Sequence, residues 1–208
     1  MAEEVKTYRS STGVDEFYYA EIDESSENVT NGIIERIQFL QNITVDMPQS
    51  AVRAFGDNVT AELAVSSGNI TVTSGFHTLP GADKKRLLGL ETSNGLTAHG
   101  SEDTPPYVAC VFAKTYEDGS KEWVGLTKGI FLRPSINGQT KQTETTFSTE
   151  EISAEFMDRK VDGFEQEKSV IFGKDAKGET TNRDALFQAV FGKPYPSTTT
   201  TTTTTTSA

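Results

Sequence analysis

Hydrophobic and polar residues alternate along several short stretches of this chain, a pattern that predicts β-strands. From Ile33 to Val45 most odd-numbered positions are apolar and most even-numbered positions are polar. Successive side chains of a strand point to opposite faces, so alternation at period two indicates a strand buried on one side. Further strands are predicted at 17–22, 59–65, 70–73, 105–116, 121–133, 140–148, 152–156 and 169–172.

Turn residues between these stretches predict two hairpins and one long loop. Ser67-Gly68-Asn69 separates the strand at 59–65 from the one that follows it, and Glu117-Asp118-Gly119-Ser120 separates the next long pair. Both segments are typical of β-hairpin turns. Residues 47–58 carry a proline, a glycine and an Asp-Asn pair, which favour turns, so we expect a long loop there.

Two stretches have the composition of helices. Leu79 to Gly89 carries a proline near its start, an early acid, late bases and a closing glycine, as the two ends of a helix prefer. In the second stretch, Thr181-Asn182-Arg183-Asp184 can cap a helix that Gly192 ends. Its buried face is expected to hold Ala185, Leu186, Ala189 and Val190. The fold is therefore predicted to be mainly β with minor α.

The 208 residues suit one domain with appendages. Residues 1–15 are polar and are expected to form an N-terminal arm, and residues 16–196 to form the β domain. Residues 197–208 are rich in threonine, with an unbroken run from 198 to 206. This run has no apolar pattern to offset the entropy of ordering it, so a disordered or extended tail is predicted.

The charge of the chain argues against nucleic-acid readout and membrane binding. Nineteen basic and thirty acidic residues give a net charge of -11, so the surface as a whole repels phosphate. The start of the chain, from Met1 to Lys6, lacks the features of a secretory signal, and no apolar run approaches the ~20 residues that span a bilayer. We expect the protein to be made in a cytosol.

Few residues could carry out chemistry. The single cysteine, Cys110, lies in an apolar run and is expected to pack in the core. His77 and His99 are the only two histidines, and the sequence has no Gly-x-Ser-x-Gly elbow, zinc-type cluster or phosphate-binding glycine motif. We therefore predict a protein that is not an enzyme, with no catalytic, cofactor-binding or metal-binding residues and no cofactor.

Acidic residues cluster at three places, and each cluster was considered as a calcium site. These clusters are Asp15-Glu16, Glu21-Ile22-Asp23-Glu24 and Glu150-Glu151. None has the spaced loop with glycine that calcium-binding hands require. Charge runs of this kind usually lie on solvated faces, which is the expectation here.

Four blocks of sequence, in a set order, carry a resemblance to a known family. They are Gly13-Val14-Asp15-Glu16-Phe17-Tyr18-Tyr19-Ala20, then Gly75-Phe76-His77-Thr78-Leu79-Pro80 with Lys84 to Gly89, then Pro106-Tyr107-Val108-Ala109 with Tyr116-Glu117-Asp118-Gly119, and finally Gly129-Ile130-Phe131 with Gln139-Thr140-Lys141. Over about residues 12 to 172 the chain resembles the major tail proteins of long-tailed phages of Gram-positive hosts, whose members form non-contractile tail tubes.

The resemblance implies a tail-tube β-sandwich or partial barrel flanked by a helix, in a subunit of the phage virion tail. Such subunits form hexameric rings that stack into a tube, complete a closed barrel on assembly, and conduct DNA during ejection. The implied partners are other copies, other tail proteins at the tube ends and a tape measure protein inside. Residues 1–15 and 47–58 are expected to reach between rings, and a negatively charged lumen to let DNA slide.

One departure and one rival interpretation remain. The threonine run after Pro196 is not part of the family pattern, in which some members carry a further immunoglobulin-like module beyond the tube domain. The rival is a β-sandwich adhesin or carbohydrate-binding module. It would fit the threonine tail and the aromatic residues Trp123, Tyr107 and Tyr116. Packing within the sheet is the commoner role of such aromatic residues. An enzyme that works with carboxylates alone has the least support.

Overall fold

A computed structural model of the chain describes residues 9–25, 28–56, 59–136 and 149–196. The predicted strand at 140–148, the tail at 197–208 and the first eight residues of the predicted arm lie outside these ranges. The strands are β1 (Ser11–Glu21), β2 (Glu35–Ile37), β3 (Leu40–Asp46), β4 (Gln49–Gly56), β5 (Val59–Ser67), β6 (Ile70–Phe76), β7 (Glu91–Ser93), β8 (Leu96–Ala98), β9 (Val108–Tyr116), β10 (Lys121–Phe131), β11 (Glu150–Met157) and β12 (Val170–Asp175), and the helices are α1 (Gly81–Leu88) and α2 (Thr181–Phe191). The prediction of a mainly β fold with minor α is confirmed.

The main sheet curls round on itself. Its strand order is β2-β1-β9-β10-β11-β6-β3, with β12 paired to the first half of β10. The two ends of this path, β2 and β3, are consecutive strands that only Gln38 and Phe39 separate, and β3 also lies close to β1. A sheet whose first and last strands are joined so closely must close into a partial barrel.

The inside of this barrel is the main hydrophobic core. Along β1 the alternation is plain, since Phe17 and Tyr19 point inwards while Tyr18 and Ala20 point outwards. Cys110 is fully buried in the same core, as predicted, and burial raises the pKa of its thiol. Helix α1 adds Leu87 and Leu88 to the core. Its bounds agree with the predicted helix, and Gly89 ends it in the left-handed conformation.

A second apolar cluster lies on the outer side of β1, β9 and β10, under α2. The helix buries Leu186, Phe187, Val190 and Phe191, so the predicted face is wrong at Ala185, which is exposed. Both faces fit helical spacing, but the observed face buries two phenylalanines and therefore more apolar area. The predicted cap is also replaced, because the buried carboxylate of Asp175 accepts hydrogen bonds from the backbone N–H groups of Asn182 (2.8 Å) and Arg183 (2.9 Å).

Gly125 in β10 allows α2 to approach the sheet. A Cβ at this position would lie 2.6 Å from Val190 Cγ2 and 3.1 Å from Leu186 Cδ2. We therefore expect Gly125→Val to lower the free energy of unfolding by about 1–3 kcal/mol or more, because the added methyl groups overpack the interface. Urea denaturation followed by circular dichroism measures this, with Gly81→Ala as the control, since nothing lies within 4 Å of a Cβ there. Equal stability of the two variants would contradict the packing argument.

The structure corrects the predicted loop at 47–58 and the predicted hairpin around Ser67-Gly68-Asn69. Strands β3 to β6 form a long antiparallel arrangement in which β3 pairs with β6 and β4 pairs with β5. Pro48 and Gly68 lie where one pair of strands gives way to the other, a break that we call the kink, and there Gly68 N donates to Pro48 O at 2.8 Å. Turn-forming residues mark both kinks and chain reversals, and here they mark the kink.

Two further predictions need correction near the ends of β1 and β3. Strand β1 begins at Ser11, so residues 11–15 belong to the sheet and not to an arm; they pair with β9. The predicted strand at 33–45 is two strands, because Phe39 has a φ of 64° and turns the chain from β2 into β3. The strongest predicted hairpin, β9 with β10, is confirmed, as are strands β11 and β12.

Candidate functional site

Strands β3, β6 and β11 form a sheet whose outward face is polar except for Met157 at the end of β11. In cross-strand register, Val45, Val72 and Ala154 form a row directed at the core. The neighbouring positions along each strand point the other way. We call this outward surface the polar face. Its polar side chains are Asn42, Thr44, Asp46, Thr71, Thr73, Glu151, Ser153 and Glu155.

The polar face is acidic and carries no basic side chain. It combines the carboxylates of Asp46, Glu151 and Glu155 with hydroxyl and amide groups, all of them short compared with lysine or arginine. The next strand in the sheet brings a lysine close, since Lys128 lies beside Met157. This lysine is buried, however, with its ammonium group 4.8 Å from the centre of the Tyr107 ring. A phosphate near the polar face therefore meets negative charge and no described cation on β3, β6 or β11.

The second candidate surface is the pair of strands β4 and β5, which we call the projecting hairpin. Its strands pair only with each other among the described strands. At ~3.4 Å per residue it extends about 25–30 Å beyond the kink. Its side chains Val52, Leu63 and Val65 are 62%, 57% and 63% exposed. Isolated two-stranded hairpins are marginal in water and exposed strand edges favour pairing, so this hairpin has the properties of a contact element.

The acidic clusters considered as calcium sites are engaged in ion pairs. Lys84 Nζ lies 2.9 Å from Glu150 Oε2, and Arg86 Nε lies 3.4 Å from Glu21 Oε1. Burial opposes ionisation of Glu150, but the hydrogen bonds from Lys84 and from the backbone N–H of Leu79 outweigh it and lower the pKa. Glu16 is the exception to the predicted solvated faces, because its side chain is only 12% exposed and binds Lys121. Within the described residues no group of three or more potential metal ligands occurs.

None of the histidine and aromatic residues with possible roles in chemistry or sugar binding belongs to the strands of either candidate surface. His77 and His99 are exposed, on different loops. Trp123 is 3% exposed beneath α2, so its indole is packed, as predicted, and offers no platform for a sugar ring. The rings of Tyr107 and Tyr116 are covered by the ammonium groups of Lys128 and Lys174. Among the described helices, none is long and apolar enough to cross a bilayer.

Comparison with known families decides which class of protein carries these surfaces. A sequence model of the phage tail tube protein family matches residues 40–199. The chain belongs to the phage tail tube protein family. The matched region begins at β3 and contains the polar face, the projecting hairpin and α2. As a tail tube protein it is a structural component of the virion tail, which confirms the predicted class of protein.

The chain is also similar to a solved structure. A chain in the six-fold symmetrised cryo-EM structure of the anti-feeding prophage baseplate is similar to this chain at 12% identity and a TM-score of 0.37. The match covers 83% of this tail tube protein and 97% of that chain. No curated protein matches the sequence.

Sequence reasoning expects residues 47–58 to reach between rings, but it does not locate the polar face. A signal for the polar face is present, since Asn42, Thr44 and Asp46 alternate with Ile43 and Val45. Only the register with β6 and β11, however, brings these residues into one acidic surface. The first strand of the projecting hairpin lies in the predicted loop at 47–58, whereas the alternation from Val59 to Val65 predicts its second strand.

Proposed function

We propose that this tail tube protein assembles into stacked hexameric rings whose polar faces line a channel for DNA. The observation that carries the proposal is the polar face, with three carboxylates, short polar side chains and no lysine or arginine. DNA bound through its phosphates is held by lysine and arginine, so a wall without them lets the duplex move without sticking. The family match to tail tube proteins supplies the context of a tube.

Ring assembly also explains how the strand edges are covered. Strand β3 ends the path of the main sheet, and among the described strands β12 pairs with β10 alone. Edge strands expose unpaired N–H and C=O groups, which favour pairing with another chain. In a closed ring each edge meets the neighbouring subunit, so the barrel becomes continuous and the open edges disappear.

The projecting hairpin is suited to contact a copy in the next ring. It reaches beyond the main sheet and carries aliphatic side chains on strands that no other described strand covers. Contact with a second copy would bury these side chains and support the hairpin on the side where it lacks a sheet. Residues 1–15 are a second proposed contact through their first eight residues, which precede β1 in the sequence.

The remaining proposals concern the type of tail and its other components. We infer a non-contractile tail of a phage of a Gram-positive host, assembled in the host cytoplasm. Other tail proteins would close the ends of the tube, and a tape measure protein would occupy the lumen during assembly. The support is the order of the four sequence blocks described above. Mass spectrometry of purified virions tests these partners, since a contractile sheath protein in the same particle would contradict the assignment.

Electron microscopy of the purified protein tests the central proposal. We expect hollow tubes or rings with six-fold symmetry, and a cryo-EM reconstruction with Thr73 and Ser153 facing the lumen. Protein that stays monomeric at high concentration, both alone and with tail initiation proteins, would contradict ring assembly. A lumen lined mainly by lysine and arginine would contradict the proposed role of the polar face in DNA passage.

A further inference from the structure

The segment after α2 folds back onto the outer side of the main sheet through one aromatic residue. The ring centre of Tyr195 lies 5.0 Å from that of Phe187, 5.7 Å from Tyr18 and 6.3 Å from Trp123. The Arg183 guanidinium lies over the ring of Tyr195, 3.8 Å from its centre. Edge-to-face packing and a cation above the ring each stabilise the position of Tyr195.

The hydroxyl group of Tyr195 takes part in a compact polar network centred on Glu16. It donates to Glu16 Oε2 at 2.7 Å and lies 2.9 Å from the Tyr18 hydroxyl, which also bonds to Glu16 at 3.2 Å. The other carboxylate oxygen of Glu16 binds Lys121. Burial opposes ionisation of Glu16, but the bonds from Lys121 and Tyr195 outweigh it and lower the pKa of this carboxyl. The network therefore holds a carboxylate that is almost buried.

Glu16 also has a strained backbone. Its φ is 53°, and β1 bulges against β9 between Asp15 and Tyr18. A residue other than glycine in this conformation persists only where its surroundings hold it in place. Tyr18 supplies that restraint from the same strand, and Lys121 and Tyr195 supply it from distant parts of the chain. The end of the described chain is thus fastened to a bulge near its beginning.

We propose that Tyr195 is a latch that fastens the C-terminal end of the domain to the Glu16 bulge and thereby fixes where the chain leaves the domain. The latch lies with α2 on the outer side of β1, β9 and β10, whereas the polar face lies on the outer side of β3, β6 and β11. The main core separates these two surfaces.

This geometry has a consequence for the tube that rests on the proposed function. Pro196 directly follows Tyr195, so the described chain ends on the α2 side of the domain. If the polar face lines the lumen, the opposite side of the domain forms the outer wall. The chain then leaves each subunit at the outer wall of the tube.

Hydrogen exchange tests the latch itself. Tyr195→Phe keeps the ring and removes the hydroxyl, so we expect amide exchange in residues 181–196 and around Glu16 to become roughly ten- to a hundredfold faster, from the loss of a charge-assisted hydrogen bond. Fluorescence of the single tryptophan, Trp123, should shift to the red as its surroundings open. Tyr116→Phe is the matched control, since it removes a hydroxyl that donates to Glu122 at 2.8 Å, away from α2.

Unchanged exchange in residues 181–196 of Tyr195→Phe would overturn the latch, as would an equal change in Tyr116→Phe. Because these measurements use the unassembled protein, they do not depend on tube formation. If the protein proves not to form tubes, these measurements still decide whether the latch exists.

Thiol labelling of assembled tubes tests where the chain leaves the subunit. The natural Cys110 is fully buried and is expected to stay unreactive in the folded protein. Lys193 is exposed and lies two residues before Tyr195. We expect Lys193→Cys to react with a maleimide attached to a large protein both before and after assembly, and Thr73→Cys to react before assembly only. Protection of Lys193→Cys in tubes would overturn the exit at the outer wall, whereas labelling of Thr73→Cys along the tubes would overturn the lumen assignment. Absence of tubes would overturn the proposed function and the exit at the outer wall that rests on it.

Discussion

Replacement of both Leu63 and Val65 by aspartate is expected to abolish tube formation while leaving the subunit folded. Both side chains lie on the same strand of the projecting hairpin, spaced two residues apart and therefore on one face, and both are more than half exposed in the single subunit. A charge at either position costs little in the monomer because water solvates it. In a contact with a second copy the same charge would be buried without a partner, at a cost of several kcal/mol.

Negative-stain microscopy measures tube formation, and circular dichroism with thermal denaturation checks the fold of the variant. The matched control is Ser50→Asp with Ser67→Asp, which adds the same charge to polar positions of the same hairpin. This control should still form tubes. Normal tubes from the Leu63 and Val65 variant would contradict the proposed contact, and loss of tubes in the control would assign the effect to charge alone.

A lysine at Thr73 is expected to slow DNA release through the tube by at least about tenfold. Thr73 lies in the central strand of the polar face, between Thr44 and Ser153 in the same row. In a hexameric ring the substitution would place six cations around the channel, repeated in every ring along its length. Each ring could then bind phosphates electrostatically, and many weak sites in series would retard the duplex.

The measurement is the rate of DNA ejection from phage that carry the variant, followed with a DNA-binding dye after release is triggered. Thr73→Gln is the control, because it adds a side chain of comparable length without charge. The retardation should decrease steeply as salt increases, since contacts with phosphate release counterions. Equal rates for the lysine and glutamine variants, or a retardation that salt does not change, would show that the polar face does not meet DNA.

Both predictions and the latch depend on which side of the main core carries each surface. The main core stabilises the barrel, α2 covers one outer side, and the polar face forms another. The family match assigns the chain to tail tube proteins but leaves the orientation of the subunit in the tube to these surfaces. The polar face lies on β3, β6 and β11, and the projecting hairpin consists of β4 and β5. Each surface can therefore be altered by substitutions that leave the other surface unchanged.

Local signals in the sequence were sufficient for much of the secondary structure. Alternation in 152–156 and the turn at Glu117 to Ser120 predicted β11 and the β9–β10 hairpin, and both are confirmed. The glycine at the end of α1 and the capping region of α2 located the two helices within a few residues. These features depend on neighbours within one turn or one hairpin, so the sequence by itself determines them.

Only the tertiary structure decided the pairing of strands β3 to β6. Pro48 and Gly68 favour a bend, but whether a bend reverses the chain depends on which strands pair across it. The polar face likewise required the register that places Thr44, Thr73 and Ser153 side by side, because acidic residues far apart in sequence form one surface only through that register.

Two of the three described non-glycine residues with a positive φ, Glu16 and Phe39, show the same division most clearly. Glu16 and Phe39 adopt positive φ angles that their side chains disfavour, so nothing local predicts them. Phe39 turns the chain between the two ends of the curled sheet, and Glu16 is held by Tyr195, which lies near the other end of the sequence. The sequence by itself determined most of the strands, the two helices and the acidic charge. Their pairing and the latch between distant residues were decided by the tertiary structure, because long-range contacts outweighed local preference.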